Sequence, residues 1–182
     1  MATVWTIGHS TRPIGEFVEL LQAHGIRQLV DVRTVPRSRH NPQFSRENLP
    51  GSLQAAGIEY RHFPALGGLR HARADSINTG WRNASFRGYA DYMQTAQFDE
   101  AVGKLVEIAD IAPTAIMCAE AVPWRCHRSM IGDALLVRGV TVLDIMSATN
   151  AKPHSLTPFA KVQGTGITYP GDNRDDVQLK LE

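Results

Sequence analysis

"TAIMCAEAVPWRCHRSMIGDALLVRGVTVLDIM", residues Thr114 to Met146, decides the fold. Its first part, "TAIMCAE", is nearly all apolar, as a strand buried on both faces of a sheet must be. "CHRSMIGDALLVRG" then reads as a helix that stops at Gly139, a residue suited to the turn after a helix. "VTVLDIM" is rich in β-branched residues and reads as another strand. A strand, a crossover helix and a strand in this order imply a parallel pair joined in the right-handed sense.

The same alternation extends upstream. "TVWTIG" is a first strand that ends at Gly8. In "PIGEFVELLQAHGI", Ile14, Phe17, Val18 and Leu21 recur at helical spacing, with Pro13 at the start and Gly25 at the stop. "RQLVDVR" is a second strand. "SRENLPGSLQAAGI" is a shorter helix for which Ser45 is the expected cap, and "IEYRHF" is a third strand. The segment after Leu66 shows little periodicity until Phe86, and a long helix is expected from there to about Asp110. Loops of this length in compact domains are usually functional or mobile. "SLTPFAKV" and "ITYP" suggest short late elements. The fold class that follows is α/β, a single compact domain with a mainly parallel sheet of about five strands flanked by helices in Rossmann-like layers. It is expected to span residues 1–170, with 171–182 as a frayed tail.

Composition narrows the function. The formal net charge of +1 lacks the global basic bias of a non-specific nucleic-acid binder. No apolar run approaches the roughly 20 residues of a membrane span. The N-terminal stretch does not read as a signal peptide. A cytoplasmic location is expected, where the only two cysteines, Cys118 and Cys126, stay reduced.

In open parallel sheets, ligands bind outside the carboxyl ends of the strands. Chemistry-bearing residues collect at these ends. His9 and Ser10 follow the first strand, and both also suit a helix cap. Asp31 and Arg33 end the second; they are expected on opposite faces, each making its own ion pair or reaching a ligand. Arg37, Ser38, Arg39 and His40 follow between two prolines, a stiff basic loop that favours anion contact. His62 ends the third strand and reads best as a satisfied strand-end histidine. Gly67 and Gly68 allow close backbone approach. Cys118 and Glu120 end the fourth strand, Arg125, Cys126, His127 and Arg128 follow, and Asp144 lies on the fifth. Trp81, Arg82, Phe86, Arg87 and Tyr89 interleave aromatics with arginines, which suits base stacking or, more simply, a loop pinned to the core.

Cys126 is expected just before a helix N-terminus, where the helix end and neighbouring cations stabilise a thiolate. The same groups suit an oxyanion. Cys118 to Arg125 is C-x6-R, one residue longer than the phosphatase C-x5-R, so spacing does not support a tyrosine-phosphatase mechanism. Rhodanese-like sulfur transfer is compatible in outline only. Cys118, Cys126 and His127 offer soft metal ligands that His9, His40, His62 or His154 could complete. Without a C-x2-C pair, no metal site is assigned. The motifs identify no cofactor.

The segments "TIGHS", "DVRTVPRSRHNPQF", "GIEYRHFPALGG", "FRGYADYM", "CAEAVPWRCHR" and "PHSLTPF" together resemble the DUF488 domain family, from about Thr6 to Tyr169. Gly8, His9, Ser10, Asp31, Arg33, Pro36, Ser38, Gly67, Gly68, Cys118, Glu120, Cys126, His127, Arg128 and His154 match its pattern. The resemblance implies a compact α/β domain whose cysteine motif is suspected of being an active site, and it carries no reaction. The leading expectation is an enzyme on an anionic small molecule or nucleic-acid fragment, with a phosphorylated, nucleotide or sulfur-bearing substrate. Cys118 or Cys126 is the nucleophile, with Cys118 favoured for its rigid position. His9 or His127 moves protons, and Glu120 orients a histidine or acts as a base. Ser10, Asp31, Arg33, Arg37, Ser38, Gly67, Gly68, Arg125 and Arg128 hold the substrate. Two alternatives stay open: a nucleotide or nucleic-acid binding module without turnover, and a metal-dependent hydrolase or redox protein.

Overall fold

In the computed structural model, which describes residues 2–171, the strand order places the cysteine motif at the centre of the sheet. Elements run β1 (Thr3–Gly8), α1 (Ile14–Ala23), β2 (Gln28–Asp31), α2 (Leu49–Ala55), β3 (Glu59–His62), α3 (Ala84–Tyr92), α4 (Ala96–Ile111), β4 (Thr114–Cys118), α5 (Arg128–Leu136), β5 (Thr141–Ser147), β6 (Asn150–Pro153), β7 (Lys161–Gln163) and β8 (Gly166–Thr168). The main sheet has the order β3-β2-β4-β1-β5-β6. All of its pairings are parallel except β5 with β6. β4, buried at all five positions, sits between β1 and β2. Gly8 is in register with Cys118, and Asp31 with Met117.

The sheet's period of two sorts its side chains onto two cores. Ile7, Leu29, Ala115 and Met117 pack with Phe17 and Leu21 of α1 and Leu49 and Leu53 of α2. Val4, Val30, Ile116 and Cys118 pack on the other face with Tyr89 of α3, Phe98 and Val102 of α4, and Met130 and Ile131 of α5. The result is a mixed α/β fold with helices on both faces of a mainly parallel sheet.

Four boundaries differ from the sequence reading. A sixth strand, β6, pairs antiparallel with β5 and carries mostly exposed residues, so it has no apolar pattern to betray it. The long helix is two: Thr95 accepts the Phe98 amide at 3.3 Å and restarts the helix within a continuous apolar stripe. α3 begins before Phe86, because Asn83 caps the amides of Ser85 and Phe86. Ser45 does not cap α2; the helix begins at Leu49, and Ser45 contributes only its carbonyl to the Leu49 amide. The late elements form a small hairpin, β7–β8, turning at Gly164 with φ 62°. The tail beyond Gly171 lies outside the described residues. Among the described residues no helix is long and apolar enough to cross a membrane.

The segment before α3 is tied down. Asp91 accepts from the Arg73 amide, the Ser76 hydroxyl and the Asn78 amide group at 2.6–2.8 Å. Asn78, fully buried, in turn accepts the Tyr169 amide at 2.9 Å.

Candidate functional site

At the carboxyl ends of β1, β2 and β4 lies a cleft of about 480 Å³. Arg33, Arg37, Gly68, Phe86, Cys118, Glu120, Arg125, Cys126 and His127 line it. Its back wall depends on Gly8. A Cβ there would lie 1.7 Å from the Glu120 carbonyl oxygen, so only glycine lets β1 meet the turn after β4. The pairing then runs past the strands: the His9 amide donates to the Cys118 carbonyl and the Ser10 amide to the Ala119 carbonyl, both at 2.9 Å. Ser10 takes a φ of 49°, uncommon for a residue other than glycine.

Both cysteines are free and buried, 2% and 6% exposed. Both line the same cleft, and their titrations are tied to each other. Hydrogen bonding from Cys126 holds the Cys118 thiol below its ordinary value against the cost of burial, and the Arg128 charge helps. The same contact and burial push Cys126 well up. The Arg128 amide donates to Cys126 Sγ at 3.4 Å. His127 Nδ1 lies 3.5 Å from that sulfur. His127 Nε2 is 2.9 Å from the Val32 carbonyl, which can only accept, so Nε2 carries the proton and Nδ1 a lone pair. Burial lowers His127 to about 4, and it is neutral near pH 7. Gly68 makes room for this ring: a Cβ would sit 2.5 Å from Nδ1.

Arg128, expected to clamp a ligand, points inward and does not line the cleft. It is 1% exposed, its Nη2 donates to the Ala121 carbonyl at 3.4 Å, and its Nε and Nη1 have no hydrogen-bond partner. Its charge acts on Cys118, Cys126 and Asp144. A buried cation with two unpartnered nitrogens is costly, and it lies within electrostatic reach of the two sulfurs.

Asp31 and Arg33 do not diverge as expected. Residues two apart share a strand face, and these two pair with each other. Arg33 Nε and Nη2 reach the two Asp31 carboxylate oxygens at 2.9 and 2.7 Å, and Tyr60 donates to the same carboxylate at 2.6 Å. Arg33 thus reaches the cleft with its charge already matched, while Asp31 is fully buried. His9 is buried behind Arg33, stacked on Phe44 at 4.3 Å, and lowered by burial. Its Nδ1–H donates to the Ser10 carbonyl and its Nε2 faces Arg33 Nη1 at 3.4 Å. His62 is satisfied by the Arg33 carbonyl. Ser38 accepts the Asn41 amide within its own loop. Gly67 packs against Thr34, where a Cβ would lie 2.4 Å from Oγ1. The exposed charged groups of the cleft are therefore Arg37, Glu120 and Arg125.

A second cleft, of about 340 Å³, escaped the sequence reading. Trp81, Trp124, Met146, Lys152, His154 and Phe159 are among its walls. They come from separate segments, so no spacing announces them. Trp81 packs edge-on against Phe86 and Phe159 and tilts on Tyr169, with centroids 4.9–5.5 Å apart. The aromatic–arginine segment is thus pinned to the core. Beneath the second cleft, Thr6, Asp144, His154 and Asp133 form a chain with links of 2.5, 3.3 and 3.0 Å, ending on the hydroxyls of Thr157 and Tyr169. Among the described residues no three His, Cys, Asp or Glu side chains are arranged to hold a metal ion.

A family model described as "Domain of unknown function DUF488" matches residues 13–135, from α1 into α5. No curated protein and no solved structure matches.

Proposed function

We propose that this chain, which belongs to the DUF488 family, is a cysteine-dependent enzyme acting on a small anion in the cleft after β4. The observation that carries this reading is the meeting of two free thiols with the buried, partly unpartnered guanidinium of Arg128. A thiolate, not a thiol, is the nucleophile, and nearby cations create it. Cys118 is the nucleophile, held by the central strand. Cys126 donates a hydrogen bond to its thiolate. Arg37 and Arg125, exposed at the cleft, attract the anion, and Arg33 braces the wall through Asp31. Glu120 is the exposed carboxylate able to take up a proton. His127 is neutral, and its Nδ1 lone pair is placed to take the Cys126 proton when that proton is not held by Cys118. His9 supports Arg33 from behind. The cleft volume falls in the range of roughly 300–1,000 Å³ usual for small-molecule sites.

The test is alkylation by iodoacetamide at neutral pH, followed by peptide mapping. Cys118 should react faster than a model cysteine, and sulfate or phosphate should slow it. If neither thiol outpaces the model, the activated-thiolate reading fails. If Cys118 is fast but no anion slows it, the assignment of an anionic substrate fails.

A further inference from the structure

Cys126 does more than one hydrogen bond requires. It lines the same cleft as Cys118 and is buried with it in the same core, and the titration of each thiol is tied to the other. A site for ester hydrolysis or phosphoryl transfer needs one nucleophile. Two facing thiols add a different capability: together they give up two electrons and form a disulfide. We infer that Cys126 is the resolving thiol for Cys118, and that the substrate is a small anion carrying a sulfane sulfur, with thiosulfate the simplest; this rests on Cys118 being the nucleophile.

The surroundings of Cys126 set the order of events. Its sulfur faces the Arg128 amide at 3.4 Å, where α5 begins, with the buried Arg128 charge close by. While Cys118 carries the negative charge, it repels charge on Cys126 and keeps that thiol protonated. Once Cys118 is capped by sulfur, the charge sits on the outer sulfur, which can take the Cys126 proton, and the amide and guanidinium then favour the thiolate left at Cys126. The second nucleophile forms only after the first step. The exposed Arg37 and Arg125 account for an anion in preference to an uncharged peroxide.

The chemistry balances. The Cys118 thiolate attacks the outer sulfur of thiosulfate; the S–S bond of thiosulfate breaks, and sulfite leaves with the electron pair. Cys118 now bears a persulfide anion. The Cys126 proton passes to the outer sulfur, and Cys126 attacks Cys118 Sγ. The persulfide bond breaks, and hydrosulfide leaves with its electron pair and the proton. The sulfane sulfur is reduced by two electrons and the thiols are oxidised to a disulfide. An external dithiol supplies two electrons and two protons to restore the pair.

The experiment uses the full chain, reduced and desalted, as wild type, Cys126→Ser and Cys118→Ser. Each is mixed with thiosulfate, with hydrogen peroxide in a parallel arm, and read by intact mass, peptide mapping, and sulfite and sulfide release. Wild type should release both products and lose two hydrogens as a Cys118–Cys126 disulfide that dithiothreitol reverses. Cys126→Ser should release sulfite only and keep one extra sulfur on Cys118. Cys118→Ser should do neither. A wild type that keeps the extra sulfur without forming the disulfide overturns the resolving role. A disulfide formed with peroxide but not thiosulfate overturns the substrate class. No sulfur on Cys118 in Cys126→Ser, or no sulfite released by wild type, overturns the inference. If Cys118 still alkylates fast and sulfate protects it, the anion–thiolate reading survives that failure; if it does not, both fall.

Discussion

Replacing His154 by glutamine removes a charge that the fold holds between two carboxylates. Its Nδ1 lies 3.3 Å from Asp144 Oδ2 and its Nε2 3.0 Å from Asp133 Oδ1. Burial disfavours the imidazolium, but the two carboxylates outweigh burial and raise His154 to about 9. The unfolded value is about 6.5. Because the folded value is the higher one, the stabilisation is present in full below about pH 6.5 and is lost as pH rises through about 9. At about 1.4 kcal/mol per tenfold change in proton affinity, the whole window is worth about 3 kcal/mol. Urea denaturation of wild type and His154→Gln, at several pH values from about 6 to about 9.5, measures it. The difference between the proteins is the useful quantity, because Cys118, held below its ordinary value, contributes a pH dependence of the opposite sign to both. In the variant, Asp133 keeps Thr157 and Tyr169, and Asp144 keeps Thr6. The wild-type advantage should shrink by about 3 kcal/mol across the window. A difference that stays flat, or grows with pH, would show that His154 is not held as a cation and would refute the reasoning.

Other outcomes follow from the same geometry. Arg128→Met should raise stability by about 1–3 kcal/mol, because it replaces a poorly satisfied buried cation with an apolar chain. It should also raise the Cys118 thiol and slow its alkylation near pH 7 by about tenfold for each unit of that rise; denaturant midpoints and a pH–rate profile read the two effects. Gly8→Ala forces the turn at Glu120 off β1, so the thermal midpoint should drop and Cys118 should lose its enhanced reactivity together. Thr95→Ala removes the cap that restarts α4 and should cost about 1 kcal/mol in a denaturant titration, without changing thiol reactivity.

Legibility in the sequence follows from what each residue must satisfy locally. β2 and β4 were readable because strands buried on both faces must be apolar, β1 and β5 because they are rich in β-branched and apolar residues, and stops such as Gly8 and Gly139 end apolar segments. β6 was not readable, since an exposed edge strand satisfies its backbone through β5 and needs no side-chain pattern. The break between α3 and α4 hid because Tyr89, Phe98 and Val102 all face one core, so the apolar stripe continues while the backbone restarts at Thr95. In the site, the meeting of Cys118, Arg125, Cys126 and His127 followed from their places after one central strand.

The direction of each cation did not follow from its place, and that direction divides the arginines by role. Arg33 is spent on Asp31, a partner two residues away that strand periodicity should have indicated. Arg37 and Arg125 stay exposed at the cleft. Arg128 begins α5, where every residue from Arg128 to Leu135 is buried. A helix surrounded on all sides offers an arginine at its first turn no solvent-facing exit, so its side chain lies inside the core beside the thiols. An inward cation with two idle nitrogens is expensive for the fold, and a helix this buried has an apolar substitute of similar length available in methionine. Retaining arginine there makes sense when negative charge lies or arises within its reach: Asp144 carries a standing charge, and Cys118 and Cys126 can acquire one in turn.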